Sequence, residues 1–338
     1  MIVNATHIGK SLDGIGRFSL ILAKYFIQDG VEVIINESAK VHFNNNELTK
    51  VKVVSASVSP NNGFIGHFKR LLFTNTLKGY VLNLSQLEIS FWNKKQIIVV
   101  HDIIPLLFPE YHKKQYHFFK YILPWILKKR TKQIITVSNH TKELLIDKFS
   151  IDSNNISVIH NGVDIECKNL EKEDYFLFVG RDSPTKNIDR LIEAFRVANT
   201  NGVKLILAGV KRDIKDSNIE CLGYIDDTKL KELYARAKYF IFPTLYEGFG
   251  FPAIEAMRCK CAVIVSNVGS LPEICKDGVL YVDPNSVEDI SKKVEELVSD
   301  SILYNNLVAK SYDISKEYSW SNSFNEYKKI LLNYSKEG

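Results

Sequence analysis

Short apolar runs alternate with amphipathic stretches along the whole chain, and that alternation leaves few folds open. The runs at 31–35, 96–100, 133–137 and 156–159 read as buried parallel strands. Between them lie helical patterns such as 18–28 and 141–149, the second preceded by Ser138 and Asn139, which suit an N-cap. A second series of runs stands at 175–180, 204–209, 219–223, 239–242 and 262–265. Strand and helix in strict alternation predict an α/β fold whose parallel sheets are covered by helices. A chain of 338 residues exceeds one ordinary core, so two doubly wound domains are expected, facing a central cleft. The charged, aperiodic stretch 167–174 reads as their linker, and 320–334 as an amphipathic helix able to return to the first domain. The expected boundaries are 1–168, 169–318 and 319–338.

Charge is uneven. Residues 1–165 hold 20 Lys+Arg against 12 Asp+Glu, a balance of +8, while the remainder holds 24 against 27. The excess gathers in two aromatic-rich stretches, His67-Phe68-Lys69-Arg70-Leu71-Leu72-Phe73 and residues 111–130. Basic surfaces interleaved with aromatics can lie on an anionic membrane face, although lysines snorkelling over their own core give the same pattern. No nucleic-acid recognition motif accompanies the charge, and neither a signal peptide nor an apolar run of about 18 residues is legible. The five cysteines show no Cys-x-x-Cys and no zinc spacing, and read as reduced thiols.

The densest chemistry lies in Pro243-Thr244-Leu245-Tyr246-Glu247-Gly248-Phe249-Gly250-Phe251-Pro252-Ala253-Ile254-Glu255. Glu247 sits in a glycine-bearing turn, and Glu255 in the opening of a helix for which Pro252 is a suitable first residue. Gly248 and Gly250 allow close backbone approach to a ligand, and free N–H groups at a helix start attract phosphate or polarised hydroxyls. Glu255 could accept hydrogen bonds from a ribose-like diol. Two carboxylates also admit a glycosidase pair, but a turn and the helix behind it do not obviously face each other across a sugar.

Gly180-Arg181-Asp182-Ser183-Pro184-Thr185-Lys186-Asn187 follows a strand and precedes a helix. One guanidinium and one ammonium at that place suit a diphosphate, or are ordinary loop cations. Asp13-Gly14-Ile15-Gly16-Arg17 can expose backbone N–H groups to phosphate, yet lacks the third glycine of a dinucleotide fingerprint. His101-Asp102 ends a strand, and the imidazole either meets a substrate hydroxyl or is a satisfied structural histidine. No Asp-x-Asp, HExxH, Gly-x-Ser-x-Gly or Walker loop is present. A nicotinamide-dependent oxidoreductase or a non-catalytic sugar-nucleotide sensor stays open on the residues alone.

Together these segments resemble glycosyltransferase family 4, retaining nucleotide-sugar-dependent enzymes of GT-B architecture. The resemblance also runs through Val137-Ser138, Asn161-Gly162-Val163-Asp164, Leu222-Gly223-Tyr224-Ile225 and Gly269-Ser270-Leu271-Pro272-Glu273. It implies that Arg181 and Lys186 hold the donor diphosphate, with Gly14, Ile15 and Gly16 closing from the other domain. Glu247, Gly248, Phe249 and Gly250 would take the donor sugar, and Tyr224, Ile225, Lys229 and Glu255 the nucleoside. His101 and Glu247 would serve the reacting centre, and Arg17 and Asp102 the acceptor side. The implied reaction moves a hexosyl group, mannose favoured, to a lipid-linked saccharide of an O-antigen or capsule. No metal or other cofactor is implied, and the implied location is the cytoplasmic face of the plasma membrane. GDP-mannose is the favoured donor, with UDP- and dTDP-sugars as alternatives. The short segment before Asp13 departs from the family and leaves acceptor contacts undefined.

Overall fold

A computed structural model gives the fold and describes residues 1–58 and 63–335. The chain divides into two compact units: Met1–Gly162 together with the chain from Trp320 onward, and Val163–Ser319.

In the first unit, seven parallel strands form one sheet: β1 (Ile2–Asn4), β2 (Glu32–Asn36), β3 (Val51–Val54), β4 (Val81–Asn83), β5 (Gln96–Val100), β6 (Thr131–Thr136) and β7 (Ile156–Val158). Their spatial order is β3-β2-β1-β4-β5-β6-β7, so the winding reverses between β1 and β4. Both faces are covered, which is why every residue of β5 is buried. The buried Gln96 amide is satisfied by Asn83, Ser90 and the Arg130 carbonyl. Asparagines end β1, β2 and β4. Asn4 donates to Asn83 at 3.0 Å, and Asn36 donates to the carbonyls of Thr6 and Ile8 at 2.6 and 2.5 Å. These bonds fix the loop that leads to the helix Gly14–Gln28. The helix Trp320–Ser335 covers that helix's apolar side, with Trp320 against Phe18 and Phe324 against Tyr25 and Phe26.

The second unit repeats the plan with β8 (Glu173–Val179), β9 (Lys204–Ala208), β10 (Ile219–Gly223), β11 (Ala237–Phe242), β12 (Ala262–Ser266) and β13 (Leu280–Val282). The order is β10-β9-β8-β11-β12-β13, again all parallel, with the reversal between β8 and β11.

Three expectations need correction. The stretch read as a linker is docked on the second unit, and the division falls after Gly162 rather than after Lys168. The Val163 N–H donates to the Tyr318 carbonyl (3.2 Å). Further on, the Lys172 ammonium donates to the carbonyls of Ala237 and Cys259 at 2.8 and 2.7 Å. The cysteines are not all free thiols: Cys167 pairs with Cys259, Cα–Cα 5.3 Å, while Cys221, Cys261 and Cys275 stay unpaired. Finally, the first basic stretch is not wholly a surface. Phe68, Lys69 and Leu72 are exposed, but Arg70 is buried with its guanidinium 3.2 Å from the His67 ring.

The second basic stretch is one helical run with a wide turn. Lys113–His117 and Leu123–Lys129 are α-helical and Phe118–Ile122 between them is π-helical. Pro124 lacks an N–H and would clash with the carbonyl four residues back, and the wider turn relieves both. Tyr121, Ile122 and Trp125 are exposed on this run and Tyr111 in the turn before it, while Phe119 and Leu123 are buried.

Candidate functional site

Open α/β sheets bind ligands beyond the carboxyl ends of their strands, where the winding reverses. In the second unit that place is shared by the loops after β8 and β11, which carry the 180–187 and 243–250 segments. The loops are laced together. Thr185 O accepts from the Leu245 N–H and the Thr244 hydroxyl, both at 2.8 Å. Asn187 takes a left-handed backbone (φ 60°) ahead of the helix Ile188–Val197, and its amide donates to the carbonyls of Pro243 and Pro284.

That lacing brings together two residues 61 apart in sequence: the Lys186 ammonium donates directly to Glu247 Oε1. Thr244 Oγ1, whose proton goes to the Thr185 carbonyl, lies 3.2 Å from the same oxygen, and Lys186 Nζ lies 4.7 Å from the centre of the Phe242 ring. The Glu247 backbone is braced as well, because its carbonyl accepts from the Ser270 N–H (3.2 Å) and hydroxyl (3.1 Å). Gly269 makes that approach possible: its φ is +63°, and a Cβ there would meet Glu247 O at 2.7 Å. Gly250 has φ +94° and caps the helix Phe251–Arg258, so Pro252 is that helix's second residue rather than its first. Arg181 is exposed beside this cluster in sequence, and Asp182 and Asp189 hold Arg212 in a separate ion-pair group.

Glu255 is half-buried on the same helix, where Oε2 accepts from the Tyr234 hydroxyl at 2.9 Å. Tyr224 follows β10 at the same edge of the sheet and is 92% exposed, an open ring face; Ile225 is half-buried. Lys229 is drawn to Glu232 on the surface of its own helix (3.3 Å).

In the first unit, Asp13 caps the helix that starts at Gly14. Its carboxylate accepts from the Gly16 N–H at 2.8 Å. The Gly16 N–H expected to meet a phosphate is thereby already bound, and Gly14 and Ile15 are what the helix start has left to offer. His101 is 6% exposed, with its ring edge-on to Phe18 and its Nε2–H donating to Leu84 O at 2.9 Å. Burial pushes its pKa down to about 4, only partly offset by the Leu84 bond. The ring is therefore neutral, in the satisfied arrangement that sequence left open. Asp102 turns its carboxylate to the Ile104 N–H (2.9 Å). Arg17 is half-buried on the first helix.

One cluster has no local signature in the sequence. Glu88, after β4, is fully buried and accepts from the Thr6 hydroxyl (2.7 Å), the His7 N–H (2.7 Å) and His7 Nδ1 (2.8 Å). His7 Nε2 meets Ser19 Oγ at 2.9 Å. These residues stand where the first sheet reverses its winding, between β1 and β4. Ser19 is wholly buried, so the group orients His7 and is no accessible nucleophile. Among the described residues, no three His, Cys, Asp or Glu side chains are grouped to hold a metal ion.

Comparison with known proteins finds relatives along the whole chain. Residues 12–167 match the family Glycosyltransferase Family 4, and residues 164–313 match Glycosyl transferases group 1. The O-antigen chain mannosyltransferase RfbU of Salmonella typhimurium is 33% identical, over 93% of this chain and 96% of its own length. The O-antigen chain mannosyltransferase B of Escherichia coli is 29% identical, over 97% of this chain and 99% of its own. Among solved structures, sucrose-phosphate synthase from Thermosynechococcus elongatus superposes with a TM-score of 0.79 at 16% identity, covering 100% of this chain and 99% of that one. That likeness is one of fold, and the fold is GT-B: two Rossmann-like domains.

Proposed function

The chain belongs to glycosyltransferase family 4 as a mannosyltransferase-like hexosyltransferase, and from that premise we propose that it transfers mannose from GDP-mannose to a lipid-linked saccharide in O-antigen or capsule synthesis. The observation that carries the donor site is the meeting of Lys186 and Glu247 where the second sheet reverses its winding. Arg181 and Lys186 there neutralise the departing diphosphate, the charge that grows most as the glycosidic bond breaks. Two cations supply this stabilisation, so the proposed reaction needs no added metal and proceeds in the presence of a chelator. Glu247 and the N–H groups around Gly248, Phe249 and Gly250 orient the sugar hydroxyls. Glu255 takes the ribose, and Tyr224 and Ile225 lie against the base. Configuration is retained, with the leaving phosphate assisting deprotonation of the acceptor hydroxyl.

Mannose is favoured because both full-length relatives named above are mannosyltransferases. The lipid-linked acceptor rests on the exposed Tyr121, Ile122 and Trp125 beside Lys120, Lys128 and Lys129, a surface suited to the anionic inner leaflet. No described helix is long and apolar enough to cross a membrane. A thermal-shift series with GDP-mannose, UDP-glucose, UDP-N-acetylglucosamine and dTDP-rhamnose tests the donor. At about 100 times its dissociation constant a donor adds roughly 2.7 kcal/mol of stability. GDP-mannose is expected to give the largest shift. A larger shift with another sugar nucleotide reassigns the donor, and no shift with any of them defeats the reading.

A further inference from the structure

We propose that Lys186 and Glu247 form a latch that donor binding opens, and whose closure helps expel the nucleoside diphosphate after transfer. The inference rests on the roles given to these two residues above. In the second unit each already holds the other's charge, with side chains only 22% and 13% exposed. Thr244 Oγ1 packs 3.2 Å from the Glu247 carboxylate, and the Phe242 ring lies against the ammonium. The closed pair is therefore a bound state that any ligand has to displace.

Ligands differ in what they return. A nucleotide sugar gives Lys186 a phosphate oxygen and gives Glu247 sugar hydroxyls, so both half-buried charges are satisfied again. A nucleoside diphosphate takes Lys186 and gives Glu247 nothing. The carboxylate is then left poorly solvated and without its cation, which is costly for a charged group. The pair thus raises affinity for the donor relative to the product. Once the sugar has left, the unsatisfied Glu247 draws Lys186 back from the diphosphate.

A double-mutant cycle by titration calorimetry tests the latch, with GDP and GDP-mannose as one ligand pair and UDP and UDP-glucose as another. In Glu247→Gln the carboxylate no longer competes for Lys186. The diphosphate is expected to bind about fivefold tighter, as for loss of a part-exposed ion pair worth roughly 1 kcal/mol. The nucleotide sugar is expected to bind no tighter than before. Lys186→Met weakens both ligands. Adding Glu247→Gln to Lys186→Met then leaves diphosphate affinity unchanged within about twofold, since no latch remains to release.

Tightening that persists without Lys186 would be a general effect of removing a negative charge and would overturn the latch. So would unchanged or weaker diphosphate binding in Glu247→Gln. Should that variant not fold, Glu247→Asp keeps the charge, shortens the reach and is expected to tighten the diphosphate about twofold; no tightening there is equally fatal. If Lys186→Met leaves both affinities intact, or the unmodified protein binds neither ligand pair, the donor-site assignment itself falls.

Discussion

At His101 the imidazole packs against Phe18, ring centroids 4.6 Å apart, with its Nε2–H on the Leu84 carbonyl. Burial lowers its pKa from the ordinary 6.5 to about 4. Between those values the unfolded chain carries a proton that the folded chain refuses. Stability from this residue is thus full above pH 6.5 and is lost as pH falls toward 4. Urea midpoints measured from pH 7 to pH 4.5 are expected to show the unmodified protein losing roughly 2–3 kcal/mol more than His101→Gln. Equal losses would mean that the ring is not held neutral. Legibility in sequence follows locality. Glu247, Gly250 and Glu255 stand out because a turn and a helix start are written in neighbouring residues. Glu88 does not, because its partners Thr6 and His7 lie 82 and 81 residues earlier and no local pattern connects them. The Asp13 bond to Gly16 is a helix cap in a segment that reads equally well as a phosphate loop, since the same residues serve both.

Among the elements, strands set in a longer apolar run are readable, as is even the three-residue β7, and others are not. β5 and β8 are apolar runs bounded by polar residues, whereas β4 and β13 have three residues each and too little pattern to declare themselves. The stretch before β8 departs from the expected linker because charge and missing periodicity describe a docked segment just as well; what docks it is a lysine on carbonyls far along the chain. The helix Trp320–Ser335 is legible from its apolar stripe. Its contribution sits in Trp320, 1% exposed, and Tyr327, wholly buried, both of which touch Phe18. Trp320→Ala is expected to cost about 3–5 kcal/mol in chemical denaturation of the first unit. The donor binding proposed for the second unit should persist in this variant under native conditions. A cost below about 1 kcal/mol would show that the helix is dispensable to the first unit.

At the scale of the molecule, the positive balance of the first half and the negative balance of the second are properties of sequence that the fold turns into surface. Lys120 and Lys128 are exposed on the same helical run as Tyr121 and Trp125, and neither forms an ion pair among the described residues. Each lysine near an anionic leaflet contributes about 1 kcal/mol, so Lys120→Gln with Lys128→Gln is expected to lower binding to anionic vesicles about 30-fold at moderate salt. Equal binding of both proteins, or equal binding to neutral vesicles, would remove the membrane from the account. Two Rossmann-like units are legible because the alternation of strand and helix is periodic over the whole chain. The strand order is not, since nothing in a strand's sequence names its neighbour.

The return of the helix that begins at Trp320 to the first unit has a consequence for how the chain is made. A ribosome delivers the second unit in one continuous stretch, but the first unit is delivered in two pieces with the whole second unit between them. At about 5–20 residues per second the first unit waits for roughly 8–30 seconds with the apolar side of Phe18 and Phe26 uncovered. The half of the protein that is translated first is therefore the half completed last.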